Sequence, residues 1–122
     1  MMITIDFNGE DPIYLQLRNQ IIHSIAAREL TEGDQLPSVR AMAEYVGINM
    51  HTVNKAYALL RQEGFLKLDR RTGAVVAVDI DHIKALSETR ENLRYVLARA
   101  VCRGVDREEA HELLDDIYDG YM

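Results

Sequence analysis

Cysteine is almost absent from this 122-residue chain. Cys102 stands alone, so no intrachain disulfide can form, and a reducing compartment, the cytoplasm, is the expected setting. Long apolar runs are missing as well. The longest are short stretches such as 74–78, far below the roughly 20 residues a membrane-spanning helix needs, so no membrane partner is expected. The opening stretch, MMITIDFNGE, has neither a basic region nor an apolar core and does not read as a secretory signal. There is no internal repeat and no low-complexity segment. The marks of common enzymes are also lacking: no phosphate-binding loop, no GxSxG, no HExxH, and no nucleophile beside an evident base. An enzyme is therefore not expected, and neither a catalytic residue nor a cofactor is assigned. What is present is a globular mixture, 48% hydrophobic and 28% charged, sized for one ordinary domain or one domain with a small appendage.

Net charge is −6, which at first argues against a polyanionic partner. Its distribution argues differently. Residues 1–11 carry −3 and residues 79–122 carry −5, whereas residues 12–78 hold eight basic and six acidic side chains, a net +2. Local charge steers a partner more than the total does, so the middle segment is the one suited to face an anion.

Residues 3–7 alternate apolar and polar and suggest a short strand or an extended arm, closed by the turn signal Asn8-Gly9. Asp11 and Pro12 read as a helix start, with Asp11 as cap and Pro12 in the first helical position. Ile13, Leu17, Ile21 and Ile25 then mark one apolar stripe on a helix of about 17 residues, ended by Gly33-Asp34. Ser38 caps a short second helix whose buried face is Val39, Met42, Ala43 and Val46. Gly47 breaks it, and Asn49 caps a third helix with Val53, Ala56, Tyr57 and Leu60 inward, up to Gly64. Two helices parted by the tight turn Gly47-Ile48-Asn49 have the form of a helix-turn-helix. After Gly64 the period changes. Residues 65–68 and 74–78 are β-prone and flank the polar turn 69–73, which predicts a hairpin directly after the third helix. The expected fold is mostly α with a small β-hairpin: a winged helix-turn-helix over residues 1–78, with an N-terminal arm at 1–10, followed by a two-helix tail over 79–122.

The third helix exposes Asn49, Met50, His51, Thr52, Asn54 and Lys55. Asparagine and histidine hydrogen-bond base edges, lysine reaches phosphate or guanine, and threonine offers a hydroxyl for phosphate and a methyl for thymine. A polar helix face alone is weak, since most such faces are simply solvated. The hairpin tip carrying Arg70 and Arg71 strengthens it, because it completes a two-groove reader. Arg40, near the start of the second helix, is a phosphate clamp or base reader, or else a surface ion pair with Glu44.

Four segments, residues 12–17 (PIYLQL), 33–43 (GDQLPSVRAMA), 49–57 (NMHTVNKAY) and 63–66 (EGFL), resemble the DNA-binding domain of GntR-family transcription regulators. The variant at 52–57 and the short helical tail resemble the YtrA subfamily. The resemblance implies a bacterial homodimer that binds double-stranded DNA at a near-palindromic operator. It maps the family's arginine after Leu-Pro-Ser onto Arg40, the recognition helix onto 49–57 and the wing onto 69–74. The resulting DNA-facing set is Ser38, Arg40, Asn49, His51, Thr52, Asn54, Lys55, Arg70, Arg71, Thr72 and Gly73. Two departures concern the operator sequence. Met50 and Asn54 stand where many members have arginines, and Arg71 stands where a wing-tip glycine is common. The subfamily resemblance further implies control of its own operon, often one with a transporter, and the expected mode is repression by steric occlusion of polymerase, with activation as the alternative.

The tail should form two helices. The first begins at Asp79 or Asp81 and ends at Gly104. The second begins with a capping box at Asp106 and Glu109. Ile83, Leu86, Leu93, Leu97, Val101, Leu113, Leu114 and Ile117 make apolar faces with too little area within the tail to cover them, so packing against a second copy is expected, the alternative being that both helices fold back on the winged domain. Two helices from one subunit are not expected to enclose a drug-sized cavity of roughly 300 Å3 or more. Any small-molecule effector would then lie at the dimer interface or between the lobes. Cys102, His111 and Asp115 are a weak metal constellation, outweighed by ordinary structural roles, so no metal is assigned. The rival reading is a winged-helix module that uses the same faces for protein and has lost DNA affinity, favoured only by the acidic net charge.

Overall fold

Leu17 and Ile21 stand one turn apart on helix α1 (Ile13–Ala26) and are both fully buried in the computed structural model, which describes residues 1–122. With them, Leu36, Met42, Val53, Leu60 and Val76 form the centre of the core. Each side chain of this kind contributes about 1.5–3 kcal/mol by leaving water.

The start of α1 differs from the expectation. Asp11 does not cap it. Pro12 is itself the boundary residue, with an extended ψ of 144°, and its carbonyl accepts from the amides of Leu15 and Gln16. The Asp11 carbonyl is instead taken by the side-chain amide of Gln16. Residues 3–7 form an extended arm and not a strand. Gln16 and Gln20, four apart on α1, act as a substitute strand edge. Their carbonyl oxygens accept from the Asp6 and Thr4 amides at 2.9 and 2.8 Å, and their NH2 groups return bonds to the same two residues' carbonyls. The arm thereby lays Ile3 and Ile5 against the core.

The helix is also shorter than read. It ends at Ala26 because Arg28 adopts a left-handed backbone (φ 63°), while the Glu29 and Leu30 amides turn back to the Ser24 carbonyl. Glycine usually marks such a turn, and none stands here.

Helix α2 (Val39–Val46) begins with the Ser38 hydroxyl accepting from the Ala41 amide, and ends at Gly47, which is left-handed at φ 80°. Helix α3 (Met50–Gln62) is capped by Asn49, whose side-chain oxygen accepts from the His51 amide at 2.7 Å. Val53, Ala56, Tyr57 and Leu60 point inward, as their spacing requires. Strands β1 (Leu66–Asp69) and β2 (Gly73–Val76) pair antiparallel, with Leu66 opposite Val76 and Asp69 opposite Gly73.

The free edge of β2 is not left open. Gly33 and Leu36 donate to the Val76 and Ala74 carbonyls, and Val76 donates to Asp34, each at 2.8 Å. Residues 33–36, read from sequence as a break, thus extend the sheet and tie the hairpin to the entrance of α2.

The chain divides into two compact units, Met1–Asp79 and Ile80–Met122. The second contains α4 (His82–Cys102), capped by Asp81, and α5 (Arg107–Asp119), opened by a reciprocal capping box between Asp106 and Glu109. Neither helix holds a buried residue. Ile83 and Val101 are 80% and 73% exposed, and Leu86, Leu93, Leu97, Leu113, Leu114 and Ile117 are exposed as well. The expectation that these two helices offer no cavity needs correction. They leave an open apolar groove of about 510 Å3 between them, lined by Leu93, Leu97, Val101, Ala110 and Leu114 among others. Gly104, left-handed at φ 83°, makes the turn between the two helices.

Candidate nucleic-acid interface

The inward face of α3 leaves His51, Asn54 and Lys55 exposed, with Thr52 half-buried beside them. Asn49 and Ser38 are partly committed, since each gives one lone pair to a helix cap. The Asn49 NH2 group and the Ser38 hydroxyl hydrogen remain as donors.

The start of α2 is fastened to α3 by Tyr57. Its phenol donates to the Pro37 carbonyl at 2.8 Å, and burial pushes the phenol well above its ordinary pKa, so it stays a neutral donor. This bond fixes where Arg40 leaves the surface relative to α3. The Arg40 guanidinium has no hydrogen bond or ion pair within the chain, so the alternative pairing with Glu44 is not made. By contrast, Arg18 is spent on structure: its guanidinium donates to both carboxylate oxygens of Glu63, at 2.9 and 3.1 Å, pinning α1 to the end of α3.

At the hairpin tip, the Asp69 carboxylate accepts from the Arg71 amide at 2.8 Å and from the Thr72 amide at 3.4 Å, and Gln35 donates to the Thr72 carbonyl. The tip is therefore held from both sides, while the Arg70 and Arg71 side chains stay exposed. Gly73 is left-handed (φ 81°), whereas Arg71 is not. That accounts for the departure noted in the sequence: only the second position demands glycine, so an arginine is accommodated at the first.

Two depressions flank α3. One, about 300 Å3, lies between α3 and the hairpin and is lined by Ser38, Asn54, Arg61, Lys67 and Gly73 among others. The other, about 380 Å3, lies where α1 and α3 begin and is lined by Ile13, Tyr14, His51, Thr52 and Lys55. There the Lys55 ammonium sits 4.0 Å from the centre of the Tyr14 ring. Tyr14, Arg61 and Lys67 escaped sequence reasoning. Nothing local in the sequence links Tyr14 to Lys55, because only the packing of α1 on α3 brings them together.

Cys102 is a free, exposed thiol, and no three His, Cys, Asp or Glu side chains come together in a group suited to a metal ion. The constellation of Cys102, His111 and Asp115 therefore lacks a geometric basis. No helix is long and apolar enough to cross a membrane.

Three helices and a hairpin, with cations at the second helix, the third helix and the hairpin tip, define a winged helix-turn-helix of the DNA-binding kind. Residues 13–76 match the family described as bacterial regulatory proteins, gntR family. The chain is 31% identical over 119 residues to the HTH-type transcriptional repressor YtrA of Bacillus subtilis, spanning 95% of this chain and 92% of that protein. Among solved structures it resembles one described as a transcriptional antiterminator from Listeria monocytogenes EGD-e (TM-score 0.88, 32% identity, 100% and 94% of the two chains). It also resembles YtrA from Sulfolobus acidocaldarius, a GntR-family transcription factor (TM-score 0.71, 40% identity, 84% and 99%). The chain belongs to the GntR family of DNA-binding transcription regulators.

Proposed function

We propose that this regulator works as a homodimeric repressor that occupies a near-palindromic operator and excludes polymerase. The carrying observation is that the side chains of Arg40, Arg70 and Arg71 are exposed without intrachain partners, on elements that Tyr57 and Gln35 lock around α3. In this reading His51, Thr52, Asn54 and Lys55 enter the major groove. Ser38, Arg40 and Asn49 meet its edges and phosphates, and Arg70, Arg71, Thr72 and Gly73 reach the adjacent minor groove. The exposed apolar faces of α4 and α5 join two copies, and two recognition helices about 34 Å apart would match successive major grooves, one helical turn of DNA. The repressor role is supported by the relative of that description in Bacillus subtilis. Control of its own operon, with a transporter, follows from the subfamily resemblance.

The test is equilibrium binding to a labelled duplex, recovered from a random-sequence pool by repeated selection on the protein, across a salt series. If Arg40, Lys55, Arg70 and Arg71 each neutralise one phosphate, log Kd against log salt should change by about 3.6 per half-site and about 7 for a dimer. Joint replacement of Lys55 and Arg70 by methionine should remove about half of that slope and most of the affinity. If no duplex is enriched, or the slope is flat, the fold serves a protein partner instead.

A further inference from the structure

We infer that Tyr14, on the first turn of α1, is a positioning residue for DNA binding, acting by holding the Lys55 ammonium in place for a backbone phosphate. The inference rests on the DNA-binding reading above and extends the working surface from the helix-turn-helix to α1. Lysine is a flexible chain with a strongly hydrated head, and most of its rotamers must be given up when it meets a phosphate. Here that ordering is made in advance. The ammonium lies 4.0 Å from the Tyr14 ring centre, on the electron-rich face that attracts cations. No carboxylate competes for Lys55, so its charge is uncompensated apart from the ring.

One side of the ammonium rests on the ring, and its N–H bonds elsewhere remain for phosphate oxygens. It stands at the lip of the depression shared with His51 and Thr52, one turn towards the start of α3. Those two residues belong to the proposed recognition surface, so a phosphate reaching Thr52 lies within reach of Lys55. Tyr14 can perform this role without touching DNA itself.

The experiment uses the full chain and the selected duplex, comparing Tyr14→Leu, Tyr14→Phe and Lys55→Met with a double variant Tyr14→Leu/Lys55→Met. Thermal melting followed by circular dichroism first establishes that each variant is folded at the assay temperature. Tyr14→Leu should weaken binding about two- to five-fold, the worth of an exposed cation–ring contact, and should lower the salt slope by at most about 0.9 per half-site. Tyr14→Phe keeps the ring and should match the parent chain, which also guards against a leucine variant that fails to fold. In the Lys55→Met background the leucine change should have no further effect. The proposal is overturned if Tyr14→Leu binds as tightly as the parent while Lys55→Met binds less tightly. It is equally overturned if the leucine change costs as much without Lys55 as with it, or if Tyr14→Phe binds as poorly as Tyr14→Leu. If the parent chain selects no duplex, the DNA-binding reading has failed and this one with it; if it selects one that Lys55→Met binds as tightly as the parent, this proposal alone is overturned.

Discussion

Replacing Gly47 by alanine tests whether the helix-turn-helix is held by backbone conformation alone. Gly47 lies at φ 80° and ψ 40° at the end of α2, and its amide donates to the Ala43 carbonyl at 2.8 Å. A Cβ added there meets no heavy atom within 4 Å, so the cost is the left-handed backbone itself, about 1–2 kcal/mol for a residue with a side chain. Alanine also stiffens the unfolded chain, which offsets about 0.4–1 kcal/mol. The net loss is about 1 kcal/mol, or a fall of roughly 4–8 °C in the melting temperature of a unit this size. Gly64 supplies the internal control. Its φ is similar at 86°, but an added Cβ would lie 3.0 Å from the Asp79 Cβ. Crowding adds about 1–3 kcal/mol, so Gly64→Ala should destabilise more than Gly47→Ala. The assay is urea unfolding followed by circular dichroism, with unchanged slope as the sign that only stability has moved. Equal losses at the two glycines, or a gain at Gly47, would refute the reasoning.

Three more outcomes follow from the same geometry. Tyr57→Phe should cost about 1 kcal/mol by removing the bond to Pro37, and should weaken operator binding through the misplaced start of α2. The folded-state pKa of Tyr57 lies above its unfolded value of 10, so its contribution is intact below pH 10 and is lost as pH rises through the folded value. The parent chain should therefore lose stability on that alkaline side by a component that Tyr57→Phe lacks. Arg28→Gly should stabilise the fold by about 0.5–1 kcal/mol, because glycine adopts the observed φ of 63° without strain, and a melting curve will read it directly. If α4 and α5 join two copies as proposed, Leu97→Asp on their groove should shift the protein from dimer to monomer in sedimentation velocity and loosen operator binding without lowering the melting temperature of the Met1–Asp79 unit.

Most of the fold was legible in the sequence, because its signals are local. Ser38, Asn49 and Asp106 cap helices where hydrogen-bonding side chains precede apolar periodicity. Val53, Ala56, Tyr57 and Leu60 lie one helical turn apart and had to share a face. The change from helical to alternating period after Gly64 announced the hairpin. What escaped has a common cause. Arg28 occupies a position where glycine would have signalled the end of α1, so the helix read too long. Residues 33–36 have no strand-like alternation, and they pair with β2 only because the hairpin edge is brought alongside them.

The division at the interface follows the same line. Residue types and helical spacing already singled out His51, Thr52, Asn54 and Lys55 as an exposed polar face of α3, Arg40 as an exposed cation near the start of α2, and Arg70 and Arg71 as the hairpin tip. The contacts that hold the elements carrying these residues were decided by long-range packing. Tyr57 reaches Pro37 across 20 residues, Gln35 reaches Thr72 across 37, and Tyr14 meets Lys55 where α1 and α3 begin. A cap or a periodic face depends on neighbours a few bonds away, which the order of residues states outright. A tyrosine ring beneath a lysine 41 positions further along depends on how two helices cross, and that is settled by how the buried side chains fill one core.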